Sequence, residues 1–129
     1  MQENSLFKKG LLYLLYSVSL ADGVHDKMEK IAIENIRKNE KIPQHIYKKF
    51  KSDINVDRDE ELYRKGITSI LKCRRKEKVR AMAWVHKLIE ADGHFHIKEA
   101  RFLLYSIAAL DIDVDEVMNL SQKLPEISS

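Results

Sequence analysis

The stretch LADGVHDKME at residues 20–29 recurs later in the chain as EADGHFHIKE at residues 90–99. Both copies contain Ala-Asp-Gly followed, six residues after the glycine, by glutamate, and an apolar helical pattern flanks each copy. A supersecondary unit that occurs twice indicates an internally repeated fold. We therefore predict two helix-turn-helix units, at about residues 5–42 and 76–112, related by a pseudo-twofold that brings the two turns close together.

The bulk composition bounds the class of protein. A chain of 129 residues is long enough for one domain with its own core, so we expect a single domain over residues 1–129. The net charge of +3 is mild and does not by itself indicate a nucleic-acid binder. The one cysteine, Cys73, excludes a disulfide framework within the chain and a cysteine-rich zinc site, and it fits a reducing compartment.

Residues 8–21 imitate a secretory signal peptide, with two lysines followed by an apolar stretch. Cleavage at its end would fall inside the repeated phrase, which recurs deep in the chain. The stretch is also too short to span a bilayer, which needs about 20 residues. We therefore expect a cytoplasmic protein.

The hydrophobic pattern is helical almost throughout the chain. Apolar residues from Phe7 to Ala21 recur at spacings of three and four and form a wide face, so this first helix is expected to be central and buried on two sides. A second helix follows Asp26 and ends near Pro43, because the residue before a proline is pushed out of helical geometry. Further helices are expected at 44–52, 57–71, 72–91, 100–110 and 115–124, whereas residues 54–56 hint at extended chain. We predict an all-α, single-domain bundle of six or seven helices.

Single residues add local expectations to this scheme. Gly66 is expected to mark a close approach of two helices, and Asp57 can cap the helix that follows it. Trp84 is expected in the core. His86 falls on an apolar helix face and is expected to be a hydrogen-bonded core histidine.

The carboxylates of the repeat are the first candidate site. Asp22 and Glu29 lie at one turn and Asp92 and Glu99 at the other, and oxygen ligands of this kind suit Ca²⁺ or Mg²⁺. The spacing matches the second half of an EF-hand loop. Three of the four positions that would supply the first ligands cannot coordinate a cation, so EF-hands are not predicted.

Helix capping is the alternative use of the same four carboxylates. Aspartate before glycine suits a tight turn, and glutamate three positions after the cap folds back onto the helix start. Each cap stabilises by about 1 kcal/mol, which is enough to retain the residue without a metal. In the second copy, His94 and His96 are candidate ligands for a transition metal, or simply polar surface.

A basic run at residues 72–80 is the second candidate site. It can bind phosphate or an acidic partner, or it can be a solvated helix start. Acidic residues between Asp53 and Glu61 form an opposite patch that can pair with the run within the fold or across a dimer. Catalysis has little support, because the four glycines form no phosphate-cradling loop and nothing places a base beside Cys73.

With its doubled Ala-Asp-Gly phrase, the chain resembles the TerB-like family, the tellurite-resistance TerB domain and its relatives, from about Leu11 to about Asp113. In general layout it is also similar to the amino-terminal domain of certain membrane-linked J-domain co-chaperones. The resemblance implies an all-helical fold of two repeats and a cytoplasmic module of tellurite and other stress responses. It also implies a divalent-metal site at the acidic residues of the turns, which are here Asp22, Glu29, Asp92 and Glu99.

Two functions are therefore expected, and the residues leave both open. The first is a non-enzymatic stress module that binds Ca²⁺, Mg²⁺ or Zn²⁺ through the four carboxylates. The alternative is a protein-interaction module in which these carboxylates only cap helices, and a surface groove or the basic run 72–80 binds the partner. Protein partners are expected rather than nucleic acid. Peripheral membrane association and the oligomeric state stay open, and an enzyme is a weaker third hypothesis.

Overall fold

The structure is a computed structural model that describes residues 2–21, 27–91 and 96–127, with side chains from residues 5, 30 and 96 onward in these ranges. The described residues form seven α-helices and no strand, which confirms the predicted all-α bundle. The helices are α1 (Gln2–Ser19), α2 (Lys27–Asn39), α3 (Gln44–Val56), α4 (Asp59–Leu71), α5 (Arg75–Ala91), α6 (Ile97–Leu110) and α7 (Val114–Lys123). No helix among the described residues is both long enough and apolar enough to cross a membrane.

Helix α1 is the centre of the bundle, as its wide apolar face predicts. Five consecutive side chains, residues 11–15, are 0% exposed. Successive residues of a helix point about 100° apart, so a run of five covers every side of it. Accordingly, α1 contacts α2, α3, α4, α5 and α6.

Two glycines allow α1 and α4 to pack closely and antiparallel. A Cβ atom built on Gly66 would lie 3.0 Å from Leu14 Cγ and 3.1 Å from Tyr13 Cβ, which confirms the predicted close approach. One turn further along α4, a Cβ atom on Gly10 of α1 would lie 2.8 Å from Ile70 Cγ1. Position 10 faces position 70 and position 14 faces position 66, so the two helices run in opposite directions.

Helix α5 is the second buried helix. Residues 81–85 are fully buried, and among them Trp84 lies in the core as predicted. Its indole Nε1–H donates to Glu40 Oε2 at 2.5 Å, and Arg80 Nε donates to the same oxygen at 2.6 Å. His86 is hydrogen-bonded as predicted, since its Nδ1 lies 2.8 Å from the hydroxyl of buried Ser121, but it is half-buried and not part of the core.

The repeats bring their first helices together. Helices α1 and α5 contact each other, and each also contacts the helix after its own turn, α2 and α6 respectively. The turns at residues 22–26 and 92–95 lie outside the described residues. The pseudo-twofold therefore stays a prediction.

The junction of α3 and α4 differs from the prediction. Residues 54–56 belong to α3, because the helix continues its apolar spacing from Ile46 through Phe50 and that packing outweighs the strand propensity of isoleucine and valine. Asp57 does not cap the next helix. It ends α3, where its N–H donates to Asp53 O at 2.8 Å, and α4 begins after Arg58.

Three apolar residues that follow the helical spacing of apolar side chains are exposed to solvent. They are Ile31, Leu71 and Leu104, on α2, α4 and α6 respectively. Each apolar face is wider than the core contact of its helix, and on α6 the buried apolar residues are Leu103, Ile107 and Leu110. The exposed Leu104 of α6 lines the groove that the next subsection describes.

A candidate binding groove

The structure describes one of the four repeat carboxylates. Asp22 and Asp92 lie outside the described residues, as does the side chain of Glu29, whose backbone belongs to α2. Glu99 is described and is 2% exposed. The described residues contain no group of three or more His, Cys, Asp and Glu side chains that could hold a metal ion.

Glu99 caps the start of α6, as the capping hypothesis predicts. The backbone N–H of His96, the residue before the helix, donates to Glu99 Oε1 at 3.3 Å. A carboxylate in the first turn also suits the positive end of the helix dipole. Of the candidate pair of histidine ligands, His96 is exposed just before α6, and His94 lies outside the described residues.

The basic run 72–80 is tied to neighbouring helices. Arg75 pairs with Glu116 of α7, and this hydrogen bond raises the pKa of the Arg75 guanidinium. Arg80 pairs with Glu40 after α2. These bonds give two cations of the run a role within the fold.

Pairing of the acidic patch with this run within the fold, one of the two alternatives, is not found among the described residues. Asp57 instead pairs with Lys65 of α4, whose pKa this hydrogen bond raises. Asp53 pairs with Lys49 Nζ at 3.2 Å and with Lys65 Nζ at 3.6 Å. The partners lie on α3 and α4, close to the patch in the sequence.

A buried polar cluster, which the sequence does not reveal, joins α1 to α3. The hydroxyl of Tyr13 donates to the carboxylate of Asp53, and both residues are buried. Burial and then this hydrogen bond raise the pKa of Tyr13. Burial also acts to raise the pKa of Asp53, but the hydrogen bonds from Tyr13 and Lys49 and the charge of Lys65 outweigh it and hold that pKa below its usual range. The cluster is a structural link, and both carboxylate oxygens of Asp53 have partners within it.

An open groove of about 1080 Å³ lies between the end of α1, one face of α4 and the outer face of α6. Helix α4 supplies residues at spacings of three and four, which place one stripe of the helix along the groove. Helix α6 supplies the opposite wall. The apolar and small lining residues are Ser17, Leu20, Ala21, Tyr63, Ile67, Thr68, Phe102, Leu104 and Tyr105.

The two long walls of the groove are fixed to each other. The ring of Tyr63 meets Phe102 edge to face, with 5.2 Å between centroids and 76° between planes. The hydroxyl oxygen of Tyr63 lies 3.0 Å from the hydroxyl oxygen of Ser106. Burial raises the pKa of the Tyr63 hydroxyl above its ordinary value. The groove is therefore formed before any ligand binds.

Two large apolar side chains on the α6 wall face solvent. Leu104 is 54% exposed and Tyr105 is 71% exposed. A large apolar area that stays in water on a folded protein marks a binding surface more often than a scattered single residue does. The apolar run FLLY at residues 102–105 was the sequence feature that could have indicated an exposed apolar surface on α6. A helix that packs on one side cannot bury four consecutive residues.

Charged residues of both signs line the groove. Asp59, Glu60 and Arg64 come from α4 and Arg101 comes from α6. All four are exposed, and none of them makes an ion pair with another described residue. Their charges are available to a ligand.

No protein-family model, no curated protein and no solved structure matches this chain.

Proposed function

We propose that this protein is a TerB-like, non-enzymatic helical module of the cytoplasm, and that its groove binds an amphipathic helix of a partner protein. The observation that carries the proposal is the groove between α1, α4 and α6, with Leu104 and Tyr105 exposed on its wall. The doubled Ala-Asp-Gly phrase supports the TerB-like assignment.

The shape and the lining of the groove favour a helix as its occupant. Helical partners bind in apolar channels between helices, where their side chains at positions i, i+3, i+4 and i+7 contact the floor. The walls here are themselves helices, the lining is mostly apolar, and charged residues stand beside it. Such a partner would cover Leu104 and Tyr105 and leave its own polar face in water.

The capping contact favours this function over the metal-binding one. Glu99 is buried and its carboxylate accepts a backbone hydrogen bond at the start of α6, so it already has a role that needs no cation. The metal hypothesis for Asp22, Glu29, Asp92 and Glu99 stays a prediction, and a separate measurement for it is given in the Discussion.

The test uses a designed, fluorescein-labelled amphipathic helix with a leucine face and a glutamine polar face, and fluorescence anisotropy reports its binding. The variant Tyr105→Asp removes an exposed ring from the groove and adds a charge. Burying such a ring contributes about 2 kcal/mol, so we expect the peptide to bind about 30-fold more weakly.

Val56→Asp is the matched control for this test. Val56 is 79% exposed at the end of α3 and does not line the groove, so its replacement makes the same kind of change elsewhere. We expect this variant to bind the peptide as the wild type does. Equal weakening by both variants, or no binding of the peptide to the wild type, would reject the proposed function.

A further inference from the structure

We infer that the helix bound in this groove carries acidic side chains, and that Arg64 and Arg101, which stand on opposite walls of the groove, bind them. This inference rests on the proposed function and names the chemistry of the partner at the same site. The two arginines lie on different helices, α4 and α6, and both line the groove.

The two arginines of the groove differ from three other arginines, which are paired within the fold. Arg37, Arg75 and Arg80 each pair with a glutamate of a described residue range. Arg64 and Arg101 are exposed and have no ion pair among the described residues. Their guanidinium groups are therefore free to bind a carboxylate of another molecule.

The acidic residues of the groove are explained by the fold itself. Asp59 and Glu60 stand in the first turn of α4, where the helix dipole favours negative charge. No comparable role applies to Arg64 or Arg101, because each lies beyond the first turn of its helix and makes no ion pair with a described residue. The charges of the groove that the fold does not explain are therefore the positive charges of Arg64 and Arg101.

Arginine on both walls points to carboxylates on the occupant. A guanidinium presents a planar set of donors that matches a carboxylate, often through two parallel hydrogen bonds. An amphipathic helix seated on the apolar lining would direct the residues at the borders of its apolar face toward the two walls. Aspartate or glutamate at those borders would meet Arg64 and Arg101.

The test compares two labelled peptides with the same leucine face, one with glutamate and one with lysine at the borders of that face. We expect the wild type to bind the glutamate peptide about tenfold more tightly, the effect of two favourable surface charge pairs. In the double variant Arg64→Glu/Arg101→Glu we expect the preference to reverse. Thermal melts should be unchanged, because neither side chain supports the fold.

The control variant Lys38→Glu/Lys48→Glu makes the same change in charge outside the groove. Both lysines are exposed, on α2 and α3, and neither has an ion pair among the described residues. We expect this variant to keep the preference for the glutamate peptide. Loss of the preference here would place the acidic peptide near Lys38 and Lys48 and overturn the inference.

Two further outcomes separate this inference from the proposed function. If the wild type binds the glutamine, glutamate and lysine peptides equally well, the groove binds a helix but the charge inference is wrong. If phosphatidylserine vesicles displace the glutamate peptide from the wild type, and Arg64→Glu/Arg101→Glu abolishes vesicle binding, an anionic lipid is the occupant and the inference is also overturned.

Discussion

Replacement of Gly10 by alanine tests the antiparallel packing of α1 on α4. The new Cβ atom would lie 2.8 Å from Cγ1 and 2.9 Å from Cδ1 of Ile70, a fully buried side chain, and 3.0 Å from Ser69 Cβ. Overpacking of a core costs about 1–3 kcal/mol, whereas alanine gains about 0.5–1 kcal/mol over glycine inside a helix. We therefore expect a net loss of about 1 kcal/mol, or about 3 °C in Tm.

A double-mutant cycle shows whether the contact with Ile70 causes that loss. Ile70→Ala alone should destabilise the protein by about 2–5 kcal/mol through the cavity that it leaves. In this background the methyl group of Gly10→Ala enters the vacated space, so the same substitution should become neutral or stabilising. Urea unfolding of the four proteins measures the coupling. A stabilising effect of Gly10→Ala in the wild type, or the same effect in both backgrounds, would refute the packing argument.

Three more predictions concern the polar residues. The fold lowers the pKa of Asp53, so its ionised carboxylate stabilises the protein above the ordinary pKa of about 4, and this stabilisation is lost as the pH falls through the lower folded value. Urea unfolding between pH 7 and pH 2.5 should therefore show a smaller loss of stability in Asp53→Asn than in the wild type. The same pH dependence in both proteins would contradict this. Glu99→Gln should weaken the cap of α6 and lower stability by up to about 1 kcal/mol in chemical denaturation, and a stabilised variant would contradict the capping role. Chelator-treated protein should melt at the same temperature with and without Ca²⁺, Mg²⁺ or Zn²⁺, and the double variant Asp22→Ala/Asp92→Ala should only lower Tm. A rise in the Tm of the wild type with metal concentration, absent in the double variant, would instead establish a metal site.

The sequence predicted the parts of the fold that depend on periodicity and on local chemistry. The apolar spacing of α1 identified the central helix, Gly66 identified a close contact, and the position of His86 on its helix face identified a hydrogen-bonded histidine. Each of these depends on residues within one helix. These features can be predicted because, in a helix, the position of a residue in the sequence determines the direction in which its side chain points.

The features that the sequence did not predict depend on which helices meet. The bond from Tyr13 to Asp53 joins residues forty positions apart, and nothing local pairs them. Leu104 reads as a core residue by its spacing, and it is exposed because no described helix covers that side of α6. The groove has the same origin, since its walls come from α1, α4 and α6, whose arrangement spacing alone does not fix.

The most direct test of the central claim is a two-dimensional ¹H–¹⁵N NMR titration of the labelled protein with the glutamate peptide. The account predicts that the perturbed amides cluster at residues 17–21, 59–68 and 101–105, which border the groove. Saturation of these shifts at one peptide per protein would confirm a single helix bound there. Perturbations centred on residues 37–51, or on residues 72–80, would contradict the claim that the groove is the binding surface.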